Sequence, residues 1–267
     1  MVFGIKALIS RIPESNRFER IWKLAQVDFK KRYYNDRLGL LWAFINPVLK
    51  VLIYYIVFSH IMARVSDDIP NFALFIFSAI IFWMCFVEMM RKGMRVLQQK
   101  RYIIQNIKVQ KEDLYISNSI SILIGFGFNL LAYLIIAYLF GVRFSGSIIF
   151  MPIIIITTTL LGTGMGMILS IIYIFFRDIN HVLDIIVLLG FWTSGIFFPS
   201  SKIIAFWKPL YYLNPFVGIM DNVRSMIVYG SKINLEIMSI NLAFGLVIFA
   251  SGLSLINKYS YLAIERL

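Results

Sequence analysis

The stretch IIFMPIIIITTTLLGTGMGMILSIIYIFF, residues 148–176, contains no charged side chain from its first position to its last. About 20 apolar residues in a helix are enough to cross the ~30 Å hydrocarbon core of a bilayer. The whole chain agrees, because 60% of its 267 residues are hydrophobic and only 15% are charged. Soluble domains contain about 45–50% apolar and about 25% charged residues. The sequence therefore predicts a protein whose natural solvent is lipid.

Five other stretches share this apolar character: Leu38–Ala63, Phe72–Met90, Leu114–Phe140, Val182–Phe198 and Ile237–Ile256. Backbone groups cannot stay unpaired in lipid, so these stretches are predicted to be helices rather than open strands. The alternating pattern of a membrane β-barrel is absent from the sequence. We therefore predict an all-α integral membrane protein, with a cytoplasmic segment at 1–37 and six transmembrane helices within 38–267.

The segment 1–37 is polar and basic, and no cleavable signal peptide is recognisable in it. One helical pattern runs from Ser15 to Lys31, with Ser15 as the expected N-cap. Its apolar residues recur three or four positions apart, at Phe18, Ile21, Trp22, Ala25 and Phe29. A basic amphipathic helix beside a membrane span is typical of a helix lying at the membrane interface. An ordinary surface helix is the alternative.

The segment 199–236, between the fifth and sixth predicted spans, is too apolar for a solvated loop. It is interrupted by Pro199, Pro209 and Pro215. This combination favours short re-entrant helices that enter the membrane and return on the same side. A compact loop on the outer bilayer surface is the alternative.

The basic residues predict the orientation, because cytoplasmic loops of membrane proteins are rich in Lys and Arg. With the N-terminus inside, the cytoplasmic segments hold 19 basic residues and the outer segments hold six, while Lys50 lies within the first span. Both termini are therefore expected in the cytoplasm. The net charge of +12 is explained by topology, so no nucleic-acid partner is expected.

Catalytic and metal-binding chemistry finds little support in the sequence. Cys85 is the single cysteine, and His60 and His181 are the only histidines, so no metal site is expected. The glycines at 162, 164 and 166 lack the strand and the lysine of a phosphate-binding loop, and they favour close helix packing instead. The ionisable residues Lys50, Glu88 and Asp184 lie within or at the ends of spans, where a role in transport competes with a position at the membrane boundary.

The cytoplasmic loop 91–113 mixes seven basic residues with apolar ones. A loop that only sets topology needs the charges but not the apolar residues, so this loop is predicted to dock on a partner.

Aromatic residues make up 16% of the chain. They suit either anchoring at the membrane interface or a pore in which flat aromatic faces let sugar rings pass.

The order of several motifs resembles the transmembrane permease subunit of ABC exporters of lipid-linked polysaccharide. The first span opens with LGLLWAFINP, residues 38–47, after a basic amphipathic helix that ends Lys-Lys-Arg-Tyr. The fourth span ends in Phe-Phe-Arg177-Asp178, and Asn214-Pro215 is followed nine residues later by Arg224. Family members often carry Ser-Pro after the fifth span, where this chain has Ser194-Gly195.

The resemblance implies a homodimeric permease in the cytoplasmic (inner) membrane that exports undecaprenyl-diphosphate-linked polysaccharide, with O-antigen favoured. It also implies two ABC ATPase subunits that carry ATP and Mg²⁺, and this chain has no phosphate-binding GxxxxGK[ST] motif. No cofactor and no catalytic residue are expected in this chain. The expected coupling residues are Arg95, Lys100, Arg101, Tyr102, Arg177 and Asp178. The expected channel or gate residues are Trp42, Tyr54, Tyr55, Trp207, Tyr211, Tyr212, Asn214 and Pro215.

Other functions stay open at this stage. The cargo of an ABC permease could instead be teichoic acid, capsule, a drug or a small lipid. A membrane transferase acting on lipid-linked sugars would need clustered carboxylates or histidines at one membrane face. A secondary transporter would show inverted repeats and paired charges within the membrane.

Overall fold

The computed structural model describes residues 16–31, 38–42, 72–107, 109–142 and 144–265, together with Ile45 and the pairs 48–49, 52–53 and 56–57. Every regular element of these residues is helical, as predicted. The α-helices are α1 (Arg17–Lys31), α2 (Phe72–Met94), α3 (Val96–Gln99), α4 (Arg101–Asn106), α5 (Lys111–Leu139), α6 (Met151–Phe175), α7 (Ile179–Thr193), α8 (Ser200–Leu213), α9 (Pro215–Ile227) and α10 (Leu235–Glu265). Short 3₁₀ turns occupy Gly39–Leu41 and Gly146–Phe150.

Four of the predicted spans are helices long and apolar enough to cross a membrane: α2, α5, α6 with its preceding 3₁₀ turn, and α10. The fifth predicted span is the 15-residue helix α7. At 1.5 Å per residue it is about 22 Å long, shorter than a ~30 Å hydrocarbon core. Most of the first predicted span lies outside the described residues. The count of six crossings therefore stays a prediction.

The helix α6 lies at the centre of the bundle and packs against both α2 and α10. Its glycines explain how closely these helices approach. A Cβ built on Gly166 would lie 2.9 Å from the Cα of Gly93 in α2. A Cβ built on Gly164 would lie 2.7 Å from the Cα of Phe249 in α10. The glycines therefore serve helix packing, as the sequence predicts, and they serve it on two opposite faces of α6.

Contacts between helix ends show which of these ends lie together at each end of the molecule. Asn180, at the start of α7, lies beside Arg95 after α2, and Lys111, at the start of α5, contacts Ser260 near the end of α10. We call this the inner end; it also carries α1, α3 and α4. The opposite, outer end joins the start of α2 to the end of α5, where Tyr133 donates to the carbonyl of Leu74.

The amphipathic helix predicted near the N-terminus is present as α1. The side chain of Asn16 caps it, in place of the expected Ser15, by accepting from the backbone N–H groups of Phe18 and Glu19. Ser15 lies outside the described residues. The helix packs lengthwise on the beginning of α5. Its apolar stripe is divided, because Ile21, Leu24 and Ala25 are buried while Phe18 and Trp22 stay exposed.

The segment 199–236 forms the two short helices α8 and α9. Phe216, at the start of α9, contacts Trp83 and Phe86 near the middle of α2, with ring centroids 5.1 and 4.5 Å apart. Arg224, further along α9, reaches Phe75 near the outer end of α2. The turn between α8 and α9 therefore lies half-way along α2, and α9 runs back from there toward the outer end.

Candidate coupling surface and outer gate

The predicted partner-docking loop is folded against the bundle. Its apolar residues Val96, Leu97 and Ile103 are buried with Leu24 of α1 and Leu114 of α5. These apolar residues pack inside the protein and are not available to a partner. The sequence had suggested that they would dock on one. What the loop exposes is polar: Arg95, Arg101 and Tyr102 lie at the surface.

Lys100, between α3 and α4, points inward. Its side chain is only 10% exposed, and its Nζ lies 2.5 Å from Asp28 Oδ2 of α1. The same ammonium donates to Ser117 Oγ at 3.0 Å and to the carbonyl of Leu114 at 3.3 Å. Burial lowers the pKa of Lys100 from its ordinary value, and the charge of Asp28 opposes that effect. Lys100 thus joins the loop to α1 and α5.

A second ionic contact holds the other end of α1. Asp113, in the first turn of α5, is fully buried and accepts from Arg17 Nε at 2.8 Å and from Arg20 Nη2 at 3.0 Å. A buried carboxylate is costly unless it is paired and hydrogen-bonded, and two guanidinium groups meet that need here. The helix α1 is therefore attached to α5 directly near its start, and through Lys100 near its end.

The two predicted cytoplasmic turns lie side by side. Arg95 Nη2 donates to Asn180 Oδ1 at 2.9 Å, and Asn180 is two residues beyond Asp178. Arg177 and Asp178 are both exposed, in the turn between α6 and α7. The inner end therefore presents Arg95, Arg101, Tyr102, Arg177 and Asp178 at the surface, while Lys100 supports them from inside.

The intramembrane acids that the sequence singled out are paired near the inner end. Asp184 Oδ1 lies 2.5 Å from Arg91 Nη1, and Glu88 Oε1 lies 2.7 Å from Lys92 Nζ. Arg91, Lys92 and Glu88 line a groove between α2 and α7, with a volume of about 450 Å³, together with Trp83, Met84, Val87 and Phe191. Lys50 lies outside the described residues.

The outer end contains a kinked helix. Trp207 has φ −159° and ψ 96° inside α8, two residues before Pro209, whose ring and missing N–H do not fit a helix interior. Phe206 and Trp207 are exposed at this kink. Phe206 also lines a cavity of about 310 Å³ with Trp192, Thr193, Phe198, Lys202, Ile203 and Leu210.

Asp221 of α9 holds both ends of α8. It accepts from Ser200 Oγ at 2.7 Å and from Tyr211 Oη at 3.1 Å. Tyr211 is therefore buried and hydrogen-bonded to α9, whereas the neighbouring Tyr212 is 40% exposed. Among the predicted gate aromatics, the structure leaves Trp207 and Tyr212 at the surface.

Asn214 and Pro215 form the turn between α8 and α9. Asn214 Oδ1 accepts from the N–H of Phe216 and caps α9, and Pro215 occupies the first helical position. The amide of Asn214 also donates to Ser194 Oγ at 3.2 Å. This turn therefore touches the end of α7.

The remaining predicted gate aromatics belong to the first predicted span. Trp42 is half-buried beside the 3₁₀ turn Gly39–Leu41, and Tyr54 and Tyr55 lie outside the described residues.

Three important side chains were not predicted as site residues: Asp113, Asp221 and Arg224. Asp113 follows Glu112 directly, so the sequence does not show which of the two acids is buried and paired. Asp221 is an isolated acid in the largely apolar helix α9, a pattern that points to a buried hydrogen-bond acceptor. In the described residues, no group of three or more His, Cys, Asp or Glu side chains is arranged to hold a metal ion.

Comparison with known proteins identifies the family. The ABC-2 type transporter family matches residues 19–228. An O-antigen export system permease protein RfbA of Klebsiella pneumoniae is 28% identical over 247 residues, which cover 91% of this chain and 93% of that protein. The RfbA permease of Myxococcus xanthus is 25% identical, covering 76% of this chain and 78% of its own. The polysialic acid transport protein KpsM of Escherichia coli is 23% identical, covering 76% and 79%. This chain therefore belongs to the ABC-2 type transporter family, as a multi-pass membrane permease.

Proposed function

We propose that the protein is the permease subunit of an ATP-driven exporter of undecaprenyl-diphosphate-linked polysaccharide, with O-antigen as the favoured cargo. Two copies would form the channel in the cytoplasmic (inner) membrane, with both termini in the cytoplasm. Two separate ABC ATPase subunits would bind ATP and Mg²⁺. The relatives named as O-antigen export permeases, which align along most of this chain, support this cargo.

The observation that carries the proposal is the contact between Arg95 and Asn180. It brings together two turns that are far apart in the chain and that both expose charged residues at the inner end. A partner seated there would touch both turns at once. In an ABC exporter that partner is the ATPase, and the two turns are its coupling surface.

The ion pairs of α1 supply a route for movement from this surface. Arg101 and Tyr102 are exposed directly after Lys100, and Lys100 is bound to Asp28 of α1 and to Ser117 of α5. A displacement of α4 by the ATPase would therefore be transmitted to the spanning helix α5 through hydrogen-bonded groups. Transport requires such a link, because the two states of the channel must differ in their contacts with the ATPase.

The outer gate would be the pair of short helices α8 and α9. Its turn lies beside the middle of α2, which fits short helices that enter the membrane and return. The exposed rings of Trp207 and Tyr212 offer flat faces to a sugar polymer. Such faces suit a cargo whose many hydroxyls cannot be moved through lipid without polar or aromatic contact.

The test is Arg177→Ala, with Lys232→Ala as the matched control. Both residues are exposed, but Lys232 lies at the outer end. We expect Arg177→Ala to reach the membrane in normal amount, to retain less ATPase in a mild-detergent pull-down, and to reduce polymer export by about tenfold, as expected when an ionic contact of ~1–2 kcal/mol is lost. Lys232→Ala should behave as wild type. Normal export by Arg177→Ala would contradict the coupling role.

The same purification separates the alternatives. The similarity to a polysialic acid transport protein keeps a capsule-type cargo as the second candidate, and the glycan bound to the purified complex distinguishes it from O-antigen. Teichoic acid, a drug or a small lipid would likewise be recognised as the bound cargo. A well-folded protein that comes down without any ATPase would favour a membrane transferase acting on lipid-linked sugars.

A further inference from the structure

Arg224 is a buried cation at the outer end of the molecule, only 2% exposed. Among the described residues, its hydrogen-bond acceptors are all backbone carbonyls. Nη1 donates to Gly195 O at 2.7 Å and to Phe198 O at 3.4 Å, and Nη2 donates to Ile196 O at 2.7 Å. Nε donates to Phe75 O at 3.3 Å. The guanidinium also lies over the ring of Phe75, 3.4 Å from its centroid.

These acceptors lie in two segments that are far apart in the sequence. Three of them lie in the turn 194–199 that links α7 to α8, and the fourth lies in α2. Arg224 itself lies in α9. One side chain therefore joins α2, α9 and the turn that leads into α8.

The turn is shaped around this cation. Gly195 has φ +71°, a conformation that suits glycine and that proline cannot adopt. It directs the carbonyls of Gly195 and Ile196 toward the guanidinium. Carbonyl oxygens that converge inside a protein repel one another unless a donor or cation lies between them. The turn therefore depends on Arg224 for its conformation.

The central bundle does not depend on it. The contacts of α6 with α2 and α10 are made through glycines and apolar side chains further along these helices. Loss of Arg224 should therefore release the turn while leaving the bundle folded. Lysine is not an equivalent replacement, since a single ammonium cannot match the planar fork that reaches carbonyls on both sides.

We propose that Arg224 is the positioning residue that holds the outer gate closed, by tying the turn 194–199 to α2 and α9. This inference rests on the proposed channel function for its consequence, but the tie itself is a property of the fold. Opening the gate would then require these carbonyls to leave the guanidinium. The tie acts on α8 through the turn, because Ser200 begins α8 directly after Pro199.

The experiment uses the purified permease in proteoliposomes, with a nitroxide label on Ser201→Cys. Ser201 is exposed in the first turn of α8, and the native Cys85 is buried. Arg224→Lys and Arg224→Met are compared with the wild type and with Lys232→Met, which removes an exposed outer cation. Gly195→Ala disturbs the same turn from its other side without altering Arg224. Label mobility and leakage of trapped sucrose are both measured without ATPase.

We expect both Arg224 variants and Gly195→Ala to increase label mobility and to raise sucrose leakage about tenfold, the effect of losing one charge-assisted hydrogen bond. Helical content should stay unchanged, and Lys232→Met should match the wild type. Unchanged mobility in Arg224→Met would overturn the tie, and wild-type behaviour of Arg224→Lys would overturn the need for a planar guanidinium. Increased mobility without leakage would overturn the gating role. If the mobility change is seen but the wild type, reconstituted with its ATPase, exports no polymer, the proposed function is rejected and the tie stands.

Discussion

Two asparagines near the outer end, Asn222 and Asn241, are both buried, yet their hydrogen bonding differs completely. Asn222 is 1% exposed; its amide donates to Asn234 O at 3.2 Å, and its oxygen accepts from Asn234 N at 2.7 Å. Asn241 is 2% exposed, and neither Nδ2 nor Oδ1 finds a hydrogen-bond partner within the described part of the chain. A buried polar group without a partner costs about 1–3 kcal/mol.

This contrast predicts opposite effects for the same substitution. Leucine branches at the same atom as asparagine and has a similar shape, so Asn241→Leu should remove the cost of the unpaired amide. We expect it to raise the free energy of unfolding by about 1–3 kcal/mol. Asn222→Leu should lower it by a similar amount, because it leaves the backbone of Asn234 without its partners. Thermal unfolding of the detergent-purified variants measures both, and two changes of equal sign would refute the prediction.

At the inner end, the sequence predicted the location of the loop but not the contacts of its individual residues. A basic loop followed by an apolar helix predicted that 91–113 lies at the cytoplasmic face. It did not predict that Lys100 turns inward to Asp28, since that contact depends on how α1 packs against α5. Long-range ion pairs of this kind, such as Arg20 with Asp113, join residues about ninety positions apart and leave no local pattern in the chain.

At the scale of elements, α6 is held between α2 and α10 by glycines on opposite faces. Gly164 contacts the backbone of α10, where a Cβ would lie 2.7 Å from both the N and the Cα of Phe249. Backbone atoms cannot move aside as the end of a flexible side chain can. In lipid, close packing replaces much of the hydrophobic driving force that holds soluble helices together.

We therefore predict that Gly164→Ala separates α6 from α10 and destabilises the protein by about 1–3 kcal/mol, the usual effect of overpacking. Gly127 of α5 is the matched control, because a Cβ there meets no atom of the described residues within 4 Å. Gly127→Ala should be neutral or slightly stabilising, since alanine is the better helix former. The midpoint of thermal unfolding in detergent is the measurement. Equal stability of the two variants would contradict this account of the packing.

The helices themselves were largely predictable, and their limits were less so. Apolar runs predicted α2, α5 and α6 to within four residues at each end, because length and hydropathy decide a membrane span. The helix α10 was predicted to end at Ile256 but continues nine residues further, to Glu265. The fifth span was harder. The run Val182–Phe198 suggested one element, whereas the helix ends at Thr193 and the chain then turns at Gly195. The carbonyls of that turn bind Arg224, which lies about thirty residues further along.

At the scale of the whole molecule, the distribution of charge between the two ends is strongly uneven. The inner end carries the basic residues of α1, of the loop after α2 and of the turn after α6. At the outer end, the described residues include Lys202, Lys208, Arg224 and Lys232, and Arg224 is enclosed by carbonyls. Because basic segments stay in the cytoplasm, this asymmetry predicts that α1, α3 and α4 face inward.

Cysteine labelling tests this orientation directly. Gln99→Cys places an exposed thiol at the inner end, and Ser231→Cys places one at the outer end, while native Cys85 is buried. A membrane-impermeant maleimide should label Ser231→Cys in intact spheroplasts and should label Gln99→Cys only after permeabilisation. The reverse pattern would move the Arg95–Asn180 contact to the side of the membrane that has no ATP. The coupling surface would then lose its partner, because an ATPase can hydrolyse cytoplasmic ATP only from the inner side.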